Sequence, residues 1–178
     1  MAFTGYVFNS VEEIMPYLED AETGPTVNWA RKQGYPQKEG NRYYNSLCCV
    51  DPQGKLVGFG ICMDINPYQL KADFHDHEFA NYHLKHDTDI IFCCMAWLKN
   101  SGDERDMIKY WAFRLLPLHS DSANERHTYF IACNRIGVER GKIFAGTSCA
   151  LDISNKNFTI LDYMGCDTTG VMITEILR

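Results

Sequence analysis

The chain has 178 residues, 46% of them hydrophobic, 13% aromatic and 22% charged. That composition suits a single globular domain burying roughly 70% of its unfolded surface, and it excludes collagen-like, coiled-coil and mainly disordered states. Its 17 Lys and Arg against 23 Asp and Glu give a formal charge of −6, which disfavours generic nucleic-acid binding, since that rests on clustered Lys and Arg.

The first element in chain order is announced by Ser10-Val-Glu-Glu13, a capping box that predicts a short helix to Leu18. Gly24-Pro25 punctuates, and Thr26 to Lys32 can form a second helix. Gly34 to Gly40 is turn-rich. Runs of β-branched and aromatic residues then predict strands over Asn45–Val50, Val57–Cys62, Asp89–Cys94, Thr128–Cys133, Ile143–Cys149, Phe158–Tyr163 and Val171–Leu177. The runs Ile90–Met95 and Phe130–Cys133 are continuously apolar, the pattern of strands buried on both faces. Glu78 to Leu84 reads as a short helix. Glu104 to Leu116 carries Met107, Ile108, Trp111, Leu115 and Leu116 near helical period, and Pro117 ends it. The order predicts a mixed α/β domain around a sheet.

The longest apolar run, Ile90 to Leu98, is far short of the ~20 residues that a bilayer span needs. No secretory pattern precedes Ser10. Eight cysteines are present, but none in a Cys-x-x-Cys pair, and two adjacent pairs sit in strand-like runs whose neighbours point to opposite faces. The expectation is a reduced, cytoplasmic chain with neither nucleic acid nor membrane as partner.

Among local patterns, Gly58-Phe-Gly-Ile-Cys62-Met-Asp64 stands out. An apolar strand ending in Cys62 exposes a thiol at the mouth of a sheet, with turn N–H groups nearby to hold an oxyanion. The alternative is a buried structural cysteine. His75, His77, His83 and His86 cluster with Asp73, Asp76 and Glu78. They match no recurring metal-ligand spacing, so no metal is expected. Gly146-Thr-Ser-Cys-Ala150 does not fit a serine nucleophile elbow. Trp97 and Trp111 read as core or pocket wall.

Taken together, several segments carry a family likeness. They are Met1-Ala-Phe-Thr-Gly-Tyr-Val-Phe8, Gly24-Pro-Thr26, Gly34-Tyr-Pro36, Tyr44-Asn-Ser46, Gly60-Ile-Cys-Met-Asp-Ile-Asn-Pro-Tyr68, Glu78-Phe-Ala80, Met95-Ala-Trp-Leu98, Asn134-Arg-Ile-Gly137 and Phe144-Ala-Gly-Thr-Ser148. In this order they resemble the carbon–nitrogen hydrolase (nitrilase) superfamily, and within it the protein N-terminal amidases, which deamidate N-terminal Asn and Gln. The resemblance covers most of the chain and implies an α-β-β-α sandwich, here shortened. It implies a Glu-Lys-Cys triad that forms a thioester with the substrate, and no cofactor. Cys62 matches the nucleophile, and the main-chain N–H of Met63 matches an oxyanion contact. The substrate class implied is protein or peptide N-termini, whose α-ammonium Asp64 and Glu78 are candidates to receive, with Trp97 as a wall.

The resemblance also implies losses. The family's Glu falls before the segment that here starts at Met1. The family's Lys lies in a loop between the segments matching Ser46 and Gly60, and only 15 residues separate Ser46 from Cys62. Lys55, in the turn before the strand, is not accepted as its substitute. The N-terminal strand, and a further stretch between Ala30 and Gly34, are expected to be missing from the single domain. The expectation is therefore a weak or inactive amidase. The rivals are a non-catalytic relative that binds peptide termini or a partner, and an unstable truncated product.

Overall fold

The structure is a computed structural model, and it describes residues 49–50, 56–100, 102–119, 126–154 and 157–176. The chain divides into two units, Met1–Leu47 and Cys48–Arg178, and every described residue lies in the second. The two helices expected before Lys32, the turns of 34–40 and Lys55 lie outside the described residues.

The strands are β1 (Cys49–Val50), β2 (Leu56–Ile61), β3 (Ile90–Met95), β4 (His127–Asn134), β5 (Val138–Glu139), β6 (Lys142–Ile143), β7 (Cys149–Ser154) and β8 (Phe158–Tyr163). The α-helices are α1 (Glu78–Lys85) and α2 (Glu104–Arg114). Six strands form one mixed sheet in the order β1-β2-β3-β4-β7-β8. The pairs β2–β3 and β3–β4 are parallel, and the others are antiparallel. Parallel neighbours need a crossover connection, and α1 and α2 supply the two. β5 and β6 form a separate hairpin. Its two turn residues, Arg140 and Gly141, both have positive φ (48° and 75°), the turn whose twist matches paired strands.

Helix α2 starts where its sequence allows. Asp103 Oδ1 accepts the N–H of Asp106 at 2.8 Å, and Asp106 Oδ2 accepts that of Asp103 at 3.4 Å, a reciprocal cap. Pro117 falls in a short 3-10 turn, Leu116–Leu118, after the helix. The apolar stripe Met107, Ile108, Trp111 and Leu115 packs into one core with Ile91, Cys93, Phe130 and Leu151 of the sheet. Burying each large side chain contributes about 1.5–3 kcal/mol. Helix α1 lies close on β2: a Cβ added at Gly60 would stand 2.6 Å from Phe79 Cζ, so this approach needs glycine.

Four expectations are corrected. Strand β2 ends at Ile61, and Cys62 opens a 3-10 turn rather than closing the strand. The expected strand Ile143–Cys149 is instead the end of β6, an irregular passage and the start of β7. Gly146 and Thr147 both have positive φ there, and a Cβ on Gly146 would stand 2.2 Å from the Cys166 carbonyl oxygen. Residues 171–176 are not a strand, and Val171 and Ile173 are exposed. Finally, β3 is not buried on both faces. Ile91, Cys93 and Met95 are buried on the helix side, whereas Phe92 and Cys94 are exposed. The second face is buried further along, at Tyr129 and Ala150.

Candidate active site

The three parallel strands deliver their C-terminal ends to one edge of the sheet, the edge where open α/β sheets place ligands. Cys62 follows β2, Trp97 follows β3 and Arg135 follows β4. Main-chain bonds lock these exits together. Arg135 N donates to Met95 O at 3.0 Å, and Ala145 N to Trp97 O at 2.8 Å. Asn134 bridges them: its Oδ1 accepts Trp97 N–H at 2.8 Å, and its Nδ2 donates to Gly146 O at 2.6 Å.

Cys62 is buried, where the strand-end pattern predicts an exposed thiol, and it has φ +33°. A non-glycine residue in the left-handed region is uncommon and strained, and such strain gathers at functional sites. The surrounding turn holds it. Asp64 Oδ2 accepts the N–H of Ile61 at 2.8 Å, and Asn66 N donates to Met63 O at 3.0 Å. Burial, then the charges of Asp64, Cys62 and Cys94, hold the Cys93 thiol far above its ordinary pKa. Cys93 is thus the inert thiol of the pair.

The structure brings Cys62, Met63 and Asp64 into one turn. The Met63 side chain is exposed. Glu78, at the start of α1, is tied to the same loop, since its Oε1 accepts Tyr68 N–H at 3.3 Å. Asp64 and Glu78 are both exposed, and each also holds backbone. The Trp97 ring packs beside Tyr110 (5.6 Å between centroids) and edge-on to Trp111 (6.1 Å).

Three residues not singled out from the sequence hold this arrangement. Tyr110 donates its hydroxyl to Asn66 Oδ1 at 2.6 Å, joining the Trp97 wall to the Cys62 turn. Asn66 is itself buried. Arg114 is 1% exposed; its Nε donates to Ile65 O at 2.8 Å, and its Nη1 donates to Phe74 O. The signal for Arg114 was its position, a charged residue on the apolar stripe of α2, one turn beyond Trp111.

The histidines go elsewhere. His77 Nδ1 meets Arg114 O at 3.3 Å, His83 Nδ1 meets Thr88 Oγ1 at 3.1 Å, and His86 Nδ1 meets Tyr82 O at 2.8 Å. Among the described residues no group of three or more His, Cys, Asp or Glu side chains converges on a metal-sized site. No helix among them is long and apolar enough to cross a membrane. A cavity of ≈ 220 Å³ lies between Lys99, Glu104, Met107, Thr147 and Cys166. None of the five residues proposed from sequence lines it.

No family model matches the chain. The protein N-terminal amidase of Schizosaccharomyces pombe is 24% identical over 244 aligned residues, covering 99% of this chain and 84% of that protein. The protein N-terminal amidase of Saccharomyces cerevisiae is 25% identical over 163 residues, covering 57% of this chain and 36% of that protein. Among solved structures, an N-terminal amidase superposes with a TM-score of 0.64 at 17% identity, over 93% of this chain and 84% of that one. An N-terminal amidase with an Asn-Glu peptide gives 0.65 at 15% identity, with the same coverage. The chain is therefore similar in sequence to protein N-terminal amidases over nearly its whole length, and it has the mixed α/β fold of a solved N-terminal amidase.

Proposed function

We propose that this chain acts on peptide N-termini as a slow amidohydrolase, releasing ammonia from the side-chain amide of N-terminal Asn or Gln. The observation that carries the reading is the backbone of Cys62, strained at φ +33° in the turn that leaves a parallel strand. That is the backbone state in which a nucleophile is presented at a sheet edge.

In this reading the Cys62 thiolate attacks the carboxamide carbon. The C–N bond breaks, and ammonia leaves carrying the thiol proton. Water then hydrolyses the thioester and restores the thiol. The Met63 N–H holds the oxyanion. The exposed carboxylates of Asp64 and Glu78 receive the substrate's α-ammonium, and Trp97 walls the site. The Asn-Glu peptide in the superposed N-terminal amidase structure is consistent with that substrate class.

We also assign a low rate. The 244-residue alignment with the fission-yeast amidase is longer than this chain of 178, so part of that relative has no counterpart here. The resemblance places the triad lysine in such a segment, between Ser46 and Cys62. Losing one oxyanion-stabilising or proton-moving group lowers a rate by about 10²–10⁴.

The test is a mass-spectrometric deamidation assay with peptides starting in Asn, Gln and Ala. The expected result is slow conversion of the Asn and Gln peptides, none for Ala, and loss of conversion in Cys62→Ala. Conversion that persists in Cys62→Ala contradicts the nucleophile. Turnover as fast as a complete amidase contradicts the low rate.

A further inference from the structure

Strands β3 and β4 run parallel, with Cys94 directly opposite Cys133. Their sequence neighbours Cys93 and Ala132 are also paired, and both are buried on the helix side. Alternation therefore places Cys94 and Cys133 together on the other face, where both are exposed. Adjacent strands lie about 4.7–4.9 Å apart, inside the roughly 4.4–6.8 Å Cα separation that a disulfide spans. Burial, then the neighbouring Cys133 thiol, holds Cys94 above its ordinary pKa.

We propose that Cys94 and Cys133 form a redox dithiol, a modification site for small disulfide oxidants of the glutathione class that closes to a Cys94–Cys133 bridge. One thiolate attacks a sulfur of the oxidant, whose S–S bond breaks and whose first half leaves as a thiolate. The second protein thiolate then attacks the mixed disulfide and displaces the other half. Two electrons pass from protein to oxidant. The two protons lost by the cysteines end on the two released thiols.

Both cysteines are exposed, and exposed bridges are the readily reduced ones. Among the described side chains of this sheet, Cys93 and Cys149 do not compete. Cys93 and Cys149 are buried, and burial pushes Cys149 up to about 12, so neither supplies thiolate at neutral pH. The dithiol sits at the same strand edge as the candidate active site, since Cys94 pairs with Ile61, the residue before Cys62. It does not depend on Cys62 being a nucleophile.

The full chain is treated with excess oxidised glutathione, quenched with N-ethylmaleimide, digested and mapped by mass spectrometry. The expected product is a Cys94–Cys133 linked peptide carrying no glutathione, reopened by mild dithiothreitol. In Cys133→Ser, glutathione should remain on Cys94, and in Cys94→Ser on Cys133. Three outcomes overturn the proposal: a linkage through any other cysteine, such as Cys62 to Cys93; glutathione held on both Cys94 and Cys133 of the unmutated chain; or both thiols left free to react with the maleimide. Serine at two exposed positions leaves the fold in place, and the result on the unmutated chain decides by itself.

Discussion

Asp64 accepts the main-chain N–H of Ile61 at 2.8 Å, so one carboxylate spans the strained residue between them, Cys62. This is the arrangement by which an acidic residue at the third position of a turn satisfies the donor at its start. It ties the end of β2 to the turn and holds the thiol's backbone where the strand alone would not.

Asp64→Ala should therefore lower stability by about 1 kcal/mol in urea unfolding, the usual loss for a cap of this kind. Asp64→Asn keeps an acceptor oxygen and should lose less. Equal stability of all three proteins would mean that the turn holds itself.

The close packing of α1 on β2 gives a second prediction. A Cβ at Gly58 would stand 2.5 Å from His83 Cε1 and 2.9 Å from Thr88 Cγ2. Both side chains are buried and bonded to each other, so neither yields freely. Gly58→Ala should destabilise by about 1–3 kcal/mol through overpacking. Chemical denaturation reads this directly, and an unchanged midpoint would contradict the close approach.

His83 gives the third. Burial, then the charge of His86, pushes its pKa from the ordinary 6.5 down to about 4. Between those values the unfolded chain binds a proton that the folded chain refuses. Stability therefore falls as pH drops from 6.5 towards 4, and this contribution is fully lost below 4. The size is roughly 3 kcal/mol. His83→Gln removes the titration, so its stability should vary less over this window than that of the unmutated chain. Parallel pH profiles for the two proteins would refute it.

Periodicity made much of this legible. The stripe from Met107 to Leu115 marked α2, and Pro117 marked its end. The apolar runs marked β2, β3 and β4 within a residue or two. Other features depend on contacts that no single-sequence period encodes. Residues 143–149 look strand-like, but the positive φ of Gly146 and Thr147 breaks the run before β7. Ile90–Met95 looks buried on both sides because it is wholly apolar, yet the packed core takes up only Ile91, Cys93 and Met95. Local pattern placed Cys62 at the strand end. The bond from Tyr110 to Asn66 spans 44 positions, and only the packing of α2 creates it.

The most direct test of the account is the alkylation rate of Cys62 by iodoacetamide at neutral pH, mapped by peptide mass against glutathione as the free-thiol standard. The account predicts Cys62 labelling faster than glutathione and slowed by an excess of a peptide beginning with Asn, but not by one beginning with Ala. Labelling no faster than glutathione, with no protection by the Asn peptide, would contradict it and leave Cys62 a buried structural thiol.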